Sequence, residues 1–308
     1  MIKVVFFGTP KIALKSLEYL YNSDNIEVVA VVTQPDKPSG RGHKMTASPI
    51  KEFAIVHNLP VFQPKSIRKE PEIQAELKNF EPDFFVTFAF GQILSQEVLD
   101  IPKYETINLH ASLLPKYRGA NPIQRAIING DSETGICTMI TELGLDCGDV
   151  CLKKVIPLSD STNCEELFNI ISEDSPQLIE KTLIGLVDKT IIPQPQCEEG
   201  VCMANKLTKD ETIIDWNKPA NDIHNLVRGI YKFPSAHFVY NDKIIKVMKT
   251  RVEQASGTPG SILEVCKDGV KVACGKNSLM IITVKPEGKG EMNARDWYNG
   301  LKIKSGCL

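Results

Sequence analysis

Short, unbroken apolar runs alternate with helical periodicity along the first half of the chain. Unbroken runs predict strands that are covered on both faces, here at residues 3–7, 28–32, 84–88, 106–109, 137–141 and 150–156. Residues 12–21 and 165–187 show helical spacing, and Asn121 with Pro122 has the residue types of a helix start with a capping side chain. Strands and helices in alternation predict an α/β fold with a doubly wound, mostly parallel sheet over residues 1–189.

The pattern changes beyond residue 189. Residues 190–207 include a stretch with prolines and no period, so they are predicted to be a linker. A helix is predicted at residues 221–230. Five short strands separated by turn residues are predicted at residues 236–240, 244–249, 260–265, 270–273 and 279–284. Residues 208–308 are therefore predicted to form a small C-terminal β-barrel of the oligonucleotide-binding (OB-like) type.

The composition is typical of a globular protein, because 42% of the 308 residues are hydrophobic and 24% are charged. No apolar run approaches the roughly 18 residues of a membrane span, and the apolar start of the chain leads directly into a turn. These features predict a cytoplasmic protein without a membrane partner. The nine cysteines are an odd number and include no Cys-x-x-Cys pair, so reduced thiols and no metal site are predicted.

The net charge of −2 is unevenly distributed. From residue 208 onward there are 16 Lys and Arg against 11 Asp and Glu, a net charge of +5, and the preceding residues carry −7. A basic terminal region after an acidic body indicates a polyanionic partner. The alternative is that these lysines serve only the solubility of a β-sheet.

The turn after the first predicted strand argues against a dinucleotide cofactor. Gly8, Thr9 and Pro10 stand where a dinucleotide-binding protein has Gly-x-Gly-x-x-Gly. With one glycine and a proline, this turn lacks the close backbone approach that a pyrophosphate requires. We therefore predict only a tight strand-to-helix turn here.

Two polar residues, Asn108 and His110, mark the end of the strand predicted at residues 106–109. Asn108 and His110 are two positions apart, so they lie on the same face. The carboxyl end of a strand is where α/β folds bind their ligands. A single histidine after a strand is more often structural, but the neighbouring Asn108 favours a functional role.

A loop between glycines supplies a third polar group. Gly144 and Gly148 flank Asp146, which indicates a constrained loop whose backbone approaches another group closely. An ordinary turn with Asp146 as its hydrogen-bonding residue is the alternative.

Asn108, His110 and Asp146 together suit acyl transfer to an amine. Attack on a formyl carbon creates an oxyanion, to which Asn108 and a charged His110 can donate hydrogen bonds, each worth roughly 3–4 kcal/mol in known enzymes. Asp146 can keep His110 charged and relay the amine proton through water. The amine is itself the nucleophile, so this chemistry needs no Ser or Cys nucleophile.

These residues resemble the active-site motif of the folate-dependent formyltransferases. The family's Asn-x-His strand end, its Ser-Leu-Leu-Pro loop and its downstream catalytic Asp match Asn108, His110, residues 112–115 and Asp146. The similarity is greatest to the members that formylate methionine on the initiator tRNA, and it covers nearly the whole chain. Other matching stretches are residues 7–10, 33–38, 40–42, 118–125, 206–210 and 214–216.

The resemblance implies a Rossmann-like formyltransferase domain that takes a formyl group from 10-formyltetrahydrofolate. The acceptor would be initiator methionyl-tRNA, and the product N-formylmethionyl-tRNA for translation initiation. Asn108, His110 and Asp146 would be catalytic. The pterin of the reduced folate would be bound by Phe88, Ala89, Phe90, Gly91, Ser112, Leu113, Leu114 and Pro115. The resemblance implies no metal and no obligate protein partner.

The resemblance also implies two regions that contact tRNA. The loop at residues 34–47 would contact the acceptor stem through Lys37, Arg41 and Lys44, although a solvated basic turn explains the same residues. The C-terminal domain would bind tRNA through a basic face with Lys232, Lys246 and Lys249. Residues 228–234 lack a Trp that is common in the family, so the contacts there are expected to differ in detail.

Other functions fit some of the same residues. A related formyltransferase acting on a sugar nucleotide or a purine precursor would share the catalytic set without needing the basic C-terminal domain. A hydrolase would use water in place of the amine. A non-catalytic RNA-binding protein would have no need of an intact Asn108, His110 and Asp146.

Overall fold

The computed structural model describes residues 1–39, 44–301 and 306–308. The chain forms two compact units. Unit 1 contains Met1–Gly119, Thr134–Ile156 and Phe168–Met203, and unit 2 contains Ala120–Glu133, Pro157–Leu167 and Ala204–Leu308. The chain therefore passes from one unit to the other five times. Each domain predicted from the sequence is, by contrast, one continuous stretch of the chain.

The elements follow one another as the apolar pattern predicts, with ends that differ by a few residues. The strands are β1 (Ile2–Gly8), β2 (Ile26–Val32), β3 (Lys37–Ser39), β4 (Lys44–Thr46), β5 (Val61–Phe62), β6 (Phe84–Phe88), β7 (Glu105–His110), β8 (Arg118–Gly119), β9 (Glu133–Ile140), β10 (Val150–Pro157), β11 (Met203–Ala204), β12 (His237–Tyr240), β13 (Lys243–Glu253), β14 (Ile262–Cys266), β15 (Gly269–Ala273), β16 (Ser278–Pro286) and β17 (Met292–Asn293). The helices are α1 (Leu14–Tyr21), α2 (Pro49–Val56), α3 (Pro71–Asn79), α4 (Gln96–Leu99), α5 (Pro122–Ile128), α6 (Cys164–Val187), α7 (Ala220–Gly229) and α8 (Ala294–Asn299). Among the described residues, no helix has the length and apolar character that crossing a membrane requires.

Unit 1 is built on a seven-stranded sheet in the order β10-β9-β7-β6-β1-β2-β5. β1 is parallel to β2 and β6, and β6 is parallel to β7, whereas β9 is antiparallel to β7. The predicted mostly parallel sheet is thus confirmed. Since β2 and β6 lie on opposite sides of β1, a topological switch point falls between β1 and β6, and such sheets bind ligands at the carboxyl ends of the strands there.

The turn after β1 is tight, as predicted. A Cβ on Gly8 would lie 2.8 Å from Phe6 Cε1 and 3.3 Å from the Phe88 carbonyl oxygen. The Thr9 hydroxyl donates to the Phe90 carbonyl oxygen at 3.2 Å and accepts from the Gln34 amide at 3.3 Å. Thr9 therefore connects the segments that follow β1, β2 and β6.

Most of the segment predicted as a linker belongs to unit 1, where hydrogen bonds hold it at two places. Gln194 and Val150 exchange two backbone hydrogen bonds of 2.8 and 2.9 Å. Further along, the Cys202 carbonyl oxygen accepts from the Arg118 amide at 3.0 Å. The residues between these contacts consequently run beside the loops that follow β7 and β9.

Unit 2 contains an antiparallel sheet in the order β12-β13-β16-β15-β14, with β17 paired to β16. These are the five strands that the sequence predicts, and α7 is the predicted helix. The core of unit 2 includes a row of aromatic rings in edge contact. Trp216 packs on Phe238, Phe238 on Trp297 and Trp297 on Tyr240, with ring centroids 5.5–5.8 Å apart.

A β-bulge in β13 changes which residues face outward. The ladder with β16 shifts register between Val247 and Lys249, and the consecutive residues Val247 and Met248 are both buried. A regular strand would put Lys246 and Lys249 on opposite faces, because they are three positions apart. The bulge adds one residue between them and so reverses the alternation of faces. Lys246 and Lys249 therefore both lie on the outer face.

The structure corrects one local prediction. Asn121 precedes α5, but its side chain makes no capping hydrogen bond. Its Oδ1 accepts instead from the Leu207 amide at 3.3 Å. The backbone explains the difference: Asn121 has ψ 49°, whereas Ser48, which does cap α2, has the extended ψ of 150° that directs a side chain back to the helix.

Arg125 and Glu211 form a paired contact within unit 2. Arg125 Nη1 and Nη2 donate to the two carboxylate oxygens of Glu211 at 2.5 and 3.2 Å, and the Thr208 amide donates to the same carboxylate at 2.8 Å. These hydrogen bonds, foremost that from Arg125, lower the pKa of Glu211 from 4.5 to about 2.

Glu211→Gln is therefore expected to destabilise the protein at pH 7 by about 1 kcal/mol, a small value because solvent weakens a partly exposed pair. Since the folded-state pKa is depressed, the stabilisation is complete above pH 4.5 and is lost as the pH falls towards 2. Urea unfolding of wild type and variant at pH 7 and pH 3 measures this. The difference should shrink at pH 3, and an equal difference at both pH values would contradict the assignment.

Candidate active site

Asn108 is held by the neighbouring strand. Thr87 on β6 is its partner in the parallel ladder, and the Thr87 hydroxyl donates to Asn108 Oδ1 at 2.8 Å. Because Oδ1 is the acceptor, the amide nitrogen is on the other side of the group, where its two hydrogens can meet a substrate oxygen. Asn108 is partly exposed, and by strand alternation it shares a face of β7 with His110.

His110 is only 6% exposed, and acceptors face both ring nitrogens. Nε2 donates to the Tyr117 carbonyl oxygen at 2.8 Å, and since a carbonyl oxygen only accepts, Nε2 carries the hydrogen. Nδ1 is 3.6 Å from Asp146 Oδ2. Because Nε2 is engaged, Nδ1 is the ring nitrogen that can contact a reacting group.

Asp146 reaches His110 from a strained loop. Its φ is +49°, in the left-handed region that side chains other than glycine rarely adopt. Its Oδ2 also accepts from the Gly119 amide at 2.8 Å. A Cβ on Gly148 would collide with the Ile140 carbonyl oxygen, so the close approach predicted for this loop is confirmed at that glycine. The structure thus brings together His110 and Asp146, which are distant in sequence.

The predicted folate-binding residues divide into two groups. The side chains of Phe88, Phe90, Ser112 and Leu114 are buried. The Phe90 ring packs edge-on against Phe7, with centroids 5.3 Å apart, and Ser112 Oγ donates to the Lys116 carbonyl oxygen at 2.6 Å. These four residues support the loops after β6 and β7 from inside.

The other group is accessible. Ala89 and Gly91 are exposed, and Leu113 and Pro115 are partly exposed. Ala89 and Gly91 both have positive φ, 53° and 82°, so the backbone after β6 turns sharply. This turn lies one strand away from Asn108, because β6 and β7 are adjacent. A planar ring system that contacts this backbone would lie close to the Asn108 amide.

The basic loop after β2 is described only in part. Lys37 is exposed on β3, which forms a hairpin with β4, and Lys44 begins β4. The predicted contacts of Arg41 and of the Lys44 side chain lie outside the described residues. Asp36 fixes the start of the hairpin, because it accepts from Lys51 Nζ and from Gln63 Nε2, each at 2.7 Å.

Among the predicted tRNA-contacting lysines of unit 2, Lys232 differs from the others. Its Nζ is 2.8 Å from Glu165 Oε2 and 5.4 Å from the centre of the Tyr231 ring. The hydrogen bond to Glu165 raises the pKa of Lys232. For Lys246 and Lys249, no ion pair is found with any described residue. Lys249 lines a cleft of approximately 910 Å³ in unit 2, together with Arg228 and Arg251.

Burial keeps the thiols of the cysteines on β9 and β10 protonated at neutral pH. Cys137 lies opposite His110 in the ladder between β7 and β9, but burial raises the pKa of its thiol to about 12. Burial does the same for Cys151. The described residues contain no group of three or more His, Cys, Asp or Glu that could hold a metal ion.

Sequence reasoning missed the groups that orient Asn108, His110 and Asp146. Thr87 orients Asn108, the Tyr117 carbonyl oxygen orients His110, and the Gly119 amide orients Asp146. The polar Thr87 within an otherwise apolar strand was the one local signal for these contacts. The others depend on how the loops after β7 and β9 meet.

Known protein families match almost the whole chain. A family described as formyl transferase matches residues 2–183, and formyl transferase, C-terminal domain, matches residues 206–302. A methionyl-tRNA formyltransferase of Clostridium perfringens is 46% identical over 307 residues, 99% of this chain and 99% of that protein. The chain belongs to the methionyl-tRNA formyltransferase family. Its formyl transferase domains account for the parallel sheet and for the antiparallel sheet that follows it.

Solved structures of other formyltransferases share the fold. An N-formyltransferase of Helicobacter canadensis, in complex with folinic acid and dTDP-3-aminofucose, has a TM-score of 0.66 at 21% identity, over 91% of this chain and 99% of that one. The methionyl-tRNA formyltransferase of Clostridium thermocellum has a TM-score of 0.56 at 16% identity, over 82% of this chain and 94% of that one. At these identities the likeness concerns the fold alone.

Proposed function

We propose that the chain transfers the formyl group of 10-formyltetrahydrofolate to the α-amino group of methionine on initiator methionyl-tRNA. The observation that carries this proposal is the pairing of His110 with Asp146 beside an oriented Asn108. The 46% identity to a methionyl-tRNA formyltransferase, over 99% of both chains, supports the acceptor. The reaction would take place in the cytoplasm and supply formylated initiator tRNA for translation.

Asn108 and His110 are arranged to stabilise the charge that develops on the formyl oxygen. When the amine attacks the formyl carbon, that oxygen becomes an oxyanion. The Asn108 Nδ2 hydrogens can bind it because Thr87 holds the amide in the required orientation. A charged His110 can donate to it through Nδ1, since Nε2 already donates to the Tyr117 carbonyl oxygen. Preoriented donors of this kind need no reorganisation during the reaction.

Asp146 would handle the proton. The amine must lose a proton as its new bond to the formyl carbon forms, and the folate nitrogen must gain one as its bond to that carbon breaks. Asp146 Oδ2 accepts from the Gly119 amide and lies 3.6 Å from His110 Nδ1, so the other carboxylate oxygen is the acceptor for the amine or for an intervening water. No covalent acyl-enzyme is required, because the amine attacks directly.

The folate is expected at the carboxyl ends of β6 and β7. The exposed backbone at Ala89 and Gly91 can contact a pterin, and Leu113 and Pro115 add apolar surface. This position follows the rule for doubly wound sheets, because it lies next to the switch point between β1 and β6. Folinic acid in the Helicobacter canadensis enzyme supports a reduced folate as the donor.

The charges of unit 2 support a tRNA acceptor over a small amine. The bulge in β13 puts Lys246 and Lys249 on one face, next to a cleft that Lys249 lines. Contacts of this kind attract phosphates without reading bases. A sugar-nucleotide acceptor is less favoured, because the structure with such a ligand shares only 21% of the sequence.

The decisive experiment is the transfer of labelled formyl from 10-formyltetrahydrofolate. Methionine-charged initiator tRNA, methionine-charged elongator tRNA and free methionine are offered in parallel. Label on the initiator alone is the expected result. Release of formate when no acceptor is present would instead identify a hydrolase. If the folate is verified and none of the three acceptors is labelled, the proposed acceptor is wrong.

Replacing Lys246 and Lys249 by alanine should make tRNA binding less dependent on salt. Each phosphate contact that is lost should reduce the slope of log affinity against log salt by about 1. Lys232→Ala should change the slope less, because Glu165 already pairs with that lysine. Affinity measurements between low and moderate salt test both statements. Equal slopes for the wild type and the Lys246/Lys249 double variant would exclude this face from tRNA binding.

A further inference from the structure

Gln196 makes three hydrogen bonds that all converge on the Asp146 loop. Its Nε2 donates to the Asp146 carbonyl oxygen at 2.9 Å and to the Gly148 carbonyl oxygen at 2.8 Å. Its Oε1 accepts from Arg118 Nε at 3.0 Å. The side chain is partly buried and comes from the segment that pairs with β10 through Gln194. One side chain thus spans 50 residues of sequence to hold the backbone of the catalytic loop.

Arg118 determines which way the Gln196 amide faces. A guanidinium only donates, so the atom of Gln196 next to Arg118 Nε must be the oxygen. The nitrogen is then on the opposite side, and each of its two hydrogens meets one loop carbonyl oxygen. Both the acceptor and the two donors of this amide are therefore used, and rotating the amide by 180° would lose all three hydrogen bonds.

The Asp146 loop needs such support because its conformation is unfavourable on its own. Asp146 has φ +49°, and residues other than glycine held in such regions cost about 1–3 kcal/mol. Gly148 packs directly against the Ile140 carbonyl oxygen. If the loop relaxed, the Asp146 carboxylate would move away from His110 Nδ1 and from the Gly119 amide. Arg118 and Gly119 are adjacent, so the same turn after β7 contacts both the carboxylate and Gln196.

We propose that Gln196 is a positioning residue for formyl transfer: it holds the Asp146 loop so that the carboxylate faces His110. This inference rests on the proposed function. Gln196 touches no reacting atom, and it acts through Asp146 alone. Its loss should therefore lower kcat, with little effect on the KM for tRNA or on global stability.

Two variants remove the amide donors in different ways. Gln196→Met keeps the length of the uncharged side chain and removes all three hydrogen bonds. Gln196→Glu keeps the acceptor for Arg118, removes both donors and adds a negative charge. Both should lower kcat by about 10- to 100-fold, the size expected when a catalytic group is misplaced by up to 1 Å. A loss in the Glu variant alone would show an effect of charge and overturn the positioning role.

Gln194→Met is the matched control. Gln194 lies on the same segment and is exposed. Within the described part of the chain, its side chain makes one hydrogen bond, to the Ile192 carbonyl oxygen. This variant should keep kcat within about twofold of the wild type, as substitutions without a catalytic partner do. An equal loss in the Gln194 and Gln196 variants would mean that the segment matters for folding only, which would refute the proposal.

A double-variant cycle with Asp146→Asn separates positioning from general structural support. If Gln196 acts through the Asp146 carboxylate, Gln196→Met should change the already reduced rate of Asp146→Asn by no more than about twofold. A residue that supports the fold in general would reduce the rate equally in both backgrounds, and such additivity would overturn the inference.

If thermal unfolding shows that the Gln196 variants fold poorly, Arg118→Met tests the same contact from the other side. It frees the Gln196 amide to rotate and should lower kcat by about tenfold, again only when Asp146 is present. A normal kcat in this variant would contradict the proposed orientation. Wild-type turnover in the same assay reports on the proposed function separately: if the wild type transfers no formyl group, that function fails, whereas a normal rate in the variants refutes only the role of Gln196.

Discussion

Asp146→Asn is expected to lower kcat for formyl transfer by about 10³-fold, within the range that general acid-base groups contribute. Asparagine keeps the shape of the side chain and can still accept from the Gly119 amide, which binds Oδ2 at 2.8 Å. It removes the negative charge that lies 3.6 Å from His110 Nδ1. The variant therefore loses the proton acceptor and the charge opposite the imidazole, while the loop stays in place.

Single-turnover rates at saturating folate and tRNA measure this effect without a contribution from product release. tRNA affinity should stay within about twofold, because Asp146 contributes to the chemistry and not to phosphate binding. Glu142→Gln is the control, since it removes an exposed carboxylate from the same loop and should leave the rate unchanged. A rate for Asp146→Asn close to that of the control would remove Asp146 from the mechanism.

Asn108→Ala is expected to lower kcat by 10²- to 10³-fold, roughly the effect of removing one oxyanion donor in other enzymes. The alanine has no hydrogen to offer the formyl oxygen, and it also leaves the Thr87 hydroxyl without the acceptor that it has at 2.8 Å. The KM for the folate should change little, because the interaction is strongest in the transition state.

Thr87→Val tests whether the orientation of Asn108 is what matters. Valine keeps the volume of threonine and removes the hydroxyl that binds Asn108 Oδ1. The amide can then rotate, and we expect a smaller loss of kcat, about tenfold. In the Asn108→Ala background, Thr87→Val should have almost no further effect. If Thr87→Val reduces the rate by the same factor in both backgrounds, the threonine acts on the fold and not through Asn108.

The strands and the shared face of Asn108 and His110 were predictable because their signals are local. Strands buried on both faces are apolar throughout, and the centre of β1 from Val4 to Phe7 is completely buried. The period of two put Asn108 and His110 on one face, and the glycines around Asp146 marked a crowded loop. Each of these predictions needed only neighbouring residues.

What the sequence did not show depends on contacts between distant segments. Gln196 was part of a predicted linker, since nothing around it indicates that its amide binds a loop 50 residues earlier. The bulge at Met248 likewise depends on pairing with β16, and without it Lys246 and Lys249 would be assigned to opposite faces. Asn121 had the right residue type for a cap, but its ψ of 49° is set by the surrounding structure.

Because two segments of unit 2 interrupt unit 1, the last segment of unit 1 leaves the ribosome late in synthesis. Unit 1 includes residues up to Met203, and Gln196 belongs to its last segment. A nascent chain that has exposed β1 to β10 therefore still lacks the side chain that holds the Asp146 loop. Catalytic competence should appear late in synthesis, after residues 194–203 have left the exit tunnel. A gene fragment cut at residue 189 would accordingly encode the parallel sheet with an unsupported Asp146 loop.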